Sequence, residues 1–426
     1  MNILAVNPWI YDFAAYDFWL KPYGFLVILT YLKNKEPNIN IEYIDCLRTE
    51  KKGHYGRGKF FSEIVPKPSF LREVPRYFKR YGISLKEFKE KVKGRKFDFI
   101  LISSSMTYWY PGVIEAIKIL KELYPNVPII LGGIYPTLCF RHAKKNTQAD
   151  FIFKAEQIGD FFKLLGLEYK PKELFSTLPE YFSFYPQVGY IVLRTSWGCP
   201  FSCSYCAIKK LFKGFFRLSL EKILDFIIKY YEKGIRDFVF YDDALLYEAS
   251  FIKNFLYAIK KYKLSLRFHT PNALHLRFLD EEIASLLKET GFISPHFGLE
   301  TLQAHLQKEW GDKANLEDLI KAIRIFKKVG FKKGEFSVYL LLGYPGQNLE
   351  ELRKEVKFLH KQGAKVSLAE FSLVPGTKLY KRYKKDFSEP LFQNNSLFSF
   401  LNKERMEEIF EIKNYTRRLN KSLIST

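Results

Sequence analysis

What most limits the fold of this chain is the form of its apolar runs. Through the first 160 residues they are short and almost unbroken: "NILAV" (2–6), "INIEYI" (39–44), "FDFILIS" (97–103), "VPIILGG" (127–133) and "DFIF" (150–153). A strand wet on one face alternates apolar and polar residues; a strand covered on both faces need not. Helical stretches stand between the runs, near 23–35, 85–94, 111–123 and 157–165. This alternation predicts an α/β domain over 1–165 with a doubly wound, flavodoxin-like parallel sheet. Its ligand would bind beyond the carboxyl ends of the strands. Residues 48–82 are basic, carry Gly and Pro, and read as a long interrupting loop.

Residues 166–189 read as a linker. Strand and helix then alternate again, with strands expected at 190–195, 235–241, 264–270, 292–299, 335–343 and 364–372. The helix expected at 220–233 shows the pattern: Leu220, Ile223, Leu224, Ile227, Ile228 and Tyr231 recur at helical spacing, after Ser219 and before Gly234. Six such units predict a partial (β/α)6 barrel over 190–385, with its chemistry at the strands' carboxyl ends. A short helical tail, 386–426, is expected to follow.

No run approaches the roughly 18 apolar residues of a membrane-spanning helix. The opening "MNILAVNPWIYDF" has neither a basic n-region nor a long apolar h-region. The expected compartment is therefore the cytoplasm, where thiols stay reduced. The net charge of +22 is spread along the chain, with only short runs such as "KRYKK" (381–385). It fits a solvated Lys-rich surface or the docking of an acidic protein. No recognisable RNA-binding module accompanies it, so nucleic acid is not the expected partner.

Three of the five cysteines, Cys199, Cys203 and Cys206, fall within "TSWGCPFSCSYC" (195–206). Their CxxxCxxC spacing sits in the loop after the first barrel strand. Three thiolates suit three irons of a [4Fe–4S] cluster and leave the fourth open to a small molecule. A structural zinc site would want a fourth ligand. His269 and Cys139 are available, but neither has helpful local spacing.

This loop resembles that of radical S-adenosylmethionine (SAM) enzymes, and the resemblance runs from 190 to about 380. It implies a cluster on the three cysteines, with aromatic Tyr205 before the last. "FVFYDDALL" (238–246) resembles the second barrel strand's end, which implies that Asp242 or Asp243 meets the methionine amine. "PHFGLET" (295–301) resembles the fourth strand and implies that Glu300 approaches the ribose. "VYLLLGYPGQ" (338–347) resembles the fifth, with Gly343 and Gly346 near the adenine, and "FSLVPGTKLY" (371–380) the sixth.

The amino-terminal half resembles the cobalamin-binding domain that precedes the barrel in one large class of these enzymes. "SSSMT" (103–107) stands where that domain has a serine-bearing loop, implicating Ser104 and Thr107. "LGGIYPT" (131–137) looks like its diglycine motif, with Gly132 and Gly133 beside the nucleotide tail. In "TYWYPG" (107–112), Tyr108, Trp109 and Tyr110 either wall the corrin or pack in the core. One departure is plain: Asp45-Cys46-Leu47 stand where many cobalamin proteins place DxHxxG, so the cobalt-ligating His is absent, and His54 is out of register.

The resemblance implies an enzyme that generates a 5′-deoxyadenosyl radical at its cluster. The expected outcome is cobalamin-dependent methyl transfer to an unactivated carbon of an unidentified organic substrate. The alternatives are radical cyclisation or rearrangement, or a radical SAM enzyme without cobalamin. An iron–sulfur electron carrier or docking module would instead want a fully ligated cluster. Methylthio transfer to tRNA would need three amino-terminal cysteines, and only Cys46 and Cys139 are there. The expected transient partner is an acidic electron donor such as flavodoxin or ferredoxin. No catalytic acid or base is assigned: His269, in "RFHTPNALH", either faces the barrel mouth or packs in the core.

Overall fold

A computed structural model describes residues 1–383, 389–397 and 405–423. The chain divides into two compact units. Met1–Gly189, Lys210–Phe212 and Lys384–Asn394 form the first; Tyr190–Lys209, Lys213–Tyr383 and Asn395–Thr426 form the second.

The first unit is built on five parallel strands: β1 (Asn2–Asn7), β2 (Asn40–Asp45), β3 (Phe99–Ile102), β4 (Ile129–Leu131) and β5 (Phe151–Ile152). They lie in the order β2-β1-β3-β4-β5, the flavodoxin-like arrangement. Leu4, Val6, Ile100, Ile102, Ile129 and Leu131 are buried in one core with Val113, Ile117 and Leu120 of the helix Tyr110–Leu123. The unbroken apolar strands thus answer to cover on both faces.

Residues 48–82 are not one irregular loop. Thr49–Lys52 and Gly58–Phe60 pair as an antiparallel hairpin, and Lys79–Tyr81 pairs antiparallel with both Ile10–Asp12 and Ser62–Ile64. Each strand has only three or four residues, and Lys51, Lys52, Lys59 and Glu63 point charge to solvent. No apolar run marks them. Residues 166–189 hold a helix, Pro171–Ser176, and tie back to the sheet where Tyr185 donates to Asp45 Oδ2 at 2.5 Å.

The second unit carries β6 (Ile191–Leu193), β7 (Asp237–Phe240), β8 (Arg267–His269), β9 (His296–Glu300), β10 (Ser337–Leu342) and β11 (Lys365–Glu370). β6-β7-β8 and β9-β10-β11 are parallel sheets. Parallel bridges from Phe268 to Phe292 and from Leu274 to Phe297 join them into a partial barrel. The helix Leu220–Glu232 buries Ile223, Leu224, Phe226, Ile227 and Tyr230, and ends before Gly234, whose φ is +89°. The stripe is thus rotated slightly from the expected one, and Ser219 makes no side-chain cap bond.

The helix Met406–Ser422 covers the edge of β11. Asn420 acts as a strand partner there: its Oδ1 accepts from the Val366 N–H at 2.9 Å and its Nδ2 donates to the Val366 carbonyl at 2.8 Å. This blunts an edge that would otherwise pair with another chain. Among the described residues, no helix is long and apolar enough to cross a membrane.

Candidate functional site

The cysteine loop leaves the carboxyl end of β6 through a short hairpin, Ser196–Gly198 against Phe215–Arg217. Gly198, with φ +79°, turns the chain into Cys199. The root of the loop is fixed by Asp242, at the end of β7. Its buried carboxylate accepts from the Thr195 N–H at 3.0 Å, from Thr195 Oγ1 at 2.6 Å and from Ser196 Oγ at 2.7 Å. Arg217 donates to Thr195 Oγ1 from behind at 2.8 Å.

Farther along, the backbone of Ser204 is gripped from two sides. Its N–H donates to the Trp310 carbonyl at 3.2 Å, and its carbonyl accepts from the Leu379 N–H at 3.1 Å. Gly311 has φ +109°, and a Cβ there would lie 3.2 Å from the Cys203 Cα. The segment 308–313 is therefore packed against the loop, and only a bare backbone fits.

Charged side chains surround the thiols. Asp243 is paired with Arg194 at 2.6 Å. Burial raises the Asp243 carboxyl and the neighbouring Asp242 adds to it, while Arg194 opposes both. Glu300 stands at the end of β9 with φ +72°, beyond a register shift between Gly298 and Glu300. Such a bulge re-aims a side chain at modest strain. Its Oε1 accepts from Tyr205 at 3.1 Å and forms an ion pair with Lys313. Gly298 makes room for that pair, since a Cβ there would lie 2.7 Å from Lys313 Nζ.

Burial works against the Lys313 ammonium, yet Glu300 and the thiols of Cys203 and Cys206 outweigh it, and its pKa lies above the usual lysine value. The thiols of Cys199 and Cys206 are pushed up to about 11 by burial, with Asp243 and the sister cysteines adding. Burial thus disfavours the thiolates of Cys199 and Cys206, and the positive charge of bound iron would favour them again. Among the described residues, no three His, Cys, Asp or Glu side chains gather closely enough for a single metal ion. The ligands of a cluster bind separate irons.

Beyond β10 the "GYPGQ" turn is held from inside. Gln347 accepts from the Gly343 N–H at 2.6 Å and donates to the Leu341 carbonyl at 2.8 Å. Gly343 and Gly346 both have positive φ, and nothing stands within 4 Å of where a Gly346 Cβ would be. Tyr205, Trp310 and Tyr344 form a run of edge-to-face rings at 5.9 and 5.0 Å.

At the sheet of the first unit, polar side chains tie strand ends to one another. Asn7 donates to Asp45 at 2.8 Å, and Ser103 donates to Asn7 at 3.1 Å. Ser104 Oγ donates to the Gly132 carbonyl at 2.9 Å and accepts from the Tyr135 N–H at 3.2 Å. Gly133 has φ +104°, and a Cβ there would collide with the Ser104 carbonyl oxygen. Gly132 is the opposite case: nothing lies within 4 Å of where its Cβ would stand. The result is an open strip of bare backbone beyond β4.

Some expected residues are engaged elsewhere. Both Asp242 oxygens are taken up by Thr195 and Ser196, which leaves Asp243 as the carboxylate nearer the thiols. His269 is bonded to Asp237 at 2.9 Å, beside Arg267 at the opposite end of the strands, and does not reach the barrel mouth. Thr107 and Tyr108 are buried. Trp109 donates to Asp12 at 2.8 Å and Tyr110 stacks on Tyr135, so the aromatic run is packed within its own unit. Cys46 is wholly buried, its thiol raised by burial and by Asp45, and His54 is exposed.

Arg194, Trp310, Gly311, Lys313 and Gln347 were not foreseen. Of these, only "WGDK" (310–313), a Gly-bearing turn just before the Asn315 helix cap, leaves a local mark in the sequence.

A loop of three thiols and flanking charge, on a partial barrel joined to a doubly wound sheet, is the framework of a radical SAM enzyme. Family models agree: "Radical SAM superfamily" matches residues 193–359 and "B12 binding domain" matches 78–158. The chain carries a radical SAM domain and a B12-binding domain. Such domains take a [4Fe–4S] cluster with SAM, and cobalamin, respectively.

Among curated proteins, it is 26% identical to the uncharacterized methyltransferase PH0819 of Pyrococcus horikoshii, over 67% of this chain and 69% of that one. It is 24% identical to cytidylyl-2-hydroxyethylphosphonate methyltransferase of Streptomyces wedmorensis, over 44% of this chain and only 36% of that one. Among solved structures, the radical SAM methyltransferase TsrM of Kitasatospora setae superposes with a TM-score of 0.64 at 18% identity. That match covers 89% of this chain and 74% of TsrM.

Proposed function

We propose that this enzyme is a cobalamin-dependent methyltransferase acting on an unactivated carbon of an organic substrate. One observation carries the reading: a single chain pairs a charged, three-thiol loop with an open diglycine strip at a flavodoxin-like sheet. The names of its curated relatives point the same way.

When bound, the cluster, SAM and cobalamin supply the electron, radical and methyl chemistry. The protein's part is to hold and orient them. Cys199, Cys203 and Cys206 would ligate the cluster. Asp243, kept close by Arg194, would accept from the methionine amine, while Asp242 braces the loop root. Glu300, aimed by its bulge and steadied by Lys313 and Tyr205, would accept from a ribose hydroxyl. Gly343 and Gly346 would admit the adenine to close backbone contact.

In the first unit, Gly132 offers its open face to the nucleotide tail. Ser104 and Gly133 set the turn, and Thr107 and Tyr108 support it from within. Leu47 stands at the position of the usual cobalt-ligating His, so this position would offer no imidazole to a bound cobalamin. The basic surface suits an acidic electron donor of the flavodoxin or ferredoxin kind.

The test is anaerobic purification with cobalamin supplied, measurement of iron and corrin content, and incubation with labelled SAM and a reductant. The proposal expects both S-adenosylhomocysteine and 5′-deoxyadenosine among the products. Release of 5′-deoxyadenosine alone, without retained corrin, would identify a cobalamin-free radical enzyme.

A further inference from the structure

His275 has no role in the site as described, yet it lies inside it. It follows β8 after a turn at 270–273, where Ala273 has φ +64°. The chain then becomes extended again: Leu274 bridges Phe297 of β9, and its N–H and carbonyl bond to His296 and Gly298. Phe297 packs on Phe326 of the outer helix Leu316–Lys328, with ring centroids 5.2 Å apart. Leu274, paired with it, shares that outer side. Alternation along an extended chain then turns His275 to the inner side, the one that Gly298 shares with Glu300 and Lys313.

There the imidazole lies flat on Phe201 of the cysteine loop, at 4.8 Å and 14°. The residue is 5% exposed, and its Nδ1 has no hydrogen-bond partner among the described residues. A buried polar atom left unpaired is costly, and each one in a native protein needs an explanation. A core position stacked on phenylalanine would be served better by another phenylalanine.

We propose that His275 is a positioning residue for SAM, its Nδ1 accepting a hydrogen bond from a hydroxyl or N–H of the bound cofactor. The inference rests on the radical SAM reading of this site. Phe201 fixes the ring plane, and the extended stretch at Leu274 fixes its direction. The ligand then supplies the partner that the protein does not.

Three variants of the full-length, anaerobically reconstituted protein test it, with SAM binding measured by equilibrium dialysis beside iron content and melting temperature. His275→Phe keeps the stack and removes the acceptor. It should weaken SAM binding about tenfold, the worth of one hydrogen bond, with iron and melting temperature held or raised. His275→Asn places an amide near the former Nδ1 and should recover most of the affinity; His275→Gln reaches instead toward Nε2 and should not.

Binding by His275→Phe within about twofold of wild type overturns the proposal, since a stacking role predicts that result. Should that variant lose its cluster, equal affinities for the Asn and Gln variants overturn it instead. Wild-type protein that binds no SAM would bring down the cofactor assignment and His275 with it, whereas normal wild-type binding with unaffected variants would remove His275 alone.

Discussion

On the proposed reading, the cysteine loop and the diglycine strip have the same task, holding a cofactor at the carboxyl ends of parallel strands, and are built for it by opposite means. In the second unit the tools are charged and ionisable side chains: three thiols, Asp243 with Arg194, Glu300 with Lys313. In the first unit they are glycine and serine, with Ser104 bonded to its neighbours' backbone. Charge is suited to an iron cluster and a cationic sulfonium ligand. A large, mostly neutral corrin with a long tail needs clearance. The difference shows in how each site should fail: the first by losing a ligand or a charge, the second by gaining a methyl group.

The sharpest way to break this contrast is at the thiols. Replacing Cys199, Cys203 and Cys206 together by Ala should abolish iron binding and SAM cleavage, while far-ultraviolet circular dichroism and corrin retention persist. Iron kept at the wild-type level would refute the ligand assignment. The next largest effect is expected at Glu300. Glu300→Gln keeps shape but gives up the charge that Lys313 and Tyr205 serve. A charge-assisted hydrogen bond contributes roughly 1.5–3 kcal/mol. SAM binding should therefore weaken by about ten- to a hundredfold with the cluster intact, and unchanged affinity would remove Glu300 from the site.

The same contrast explains what the sequence disclosed. The strands of both units were legible because burial on both faces leaves nearly continuous apolar runs, such as Phe99–Ile102 and Ser337–Leu342. The cysteine loop was legible because ligand spacing within one loop is local. His275 was not: it reaches the loop only when the partial barrel brings distant segments together, and nothing beside it in the sequence says so; Lys313 has only the Gly-bearing turn beside it as a mark. Asp242 and Asp243 looked equivalent as neighbours, but the turn at Thr195 consumes one and leaves the other. The strands within 48–82 escaped because they are three or four residues long, with charge on their exposed side. Gly132 and Gly133 read as one motif, and the structure gives them different tasks.

That division of labour sets the last and smallest effects. Gly133 is needed by the fold. Its φ of +104° suits glycine alone, and a Cβ would collide with the Ser104 carbonyl. Strain of this kind costs about 1–3 kcal/mol, so Gly133→Ala should lower the melting temperature as well as corrin retention. Gly132 is not needed by the fold, and on the proposed reading its bare backbone serves the ligand. A Cβ there meets nothing within 4 Å, so Gly132→Ala should change stability by no more than about 0.5 kcal/mol. The same methyl group would stand in the strip where the nucleotide tail is expected, and corrin retention should fall while the melting temperature and iron content hold. Calorimetry beside the corrin absorbance of the two variants decides the matter. If Gly132→Ala keeps its corrin, the strip beyond β4 is not where the cofactor lies, and the contrast between a site of charge and a site of clearance would have to be withdrawn.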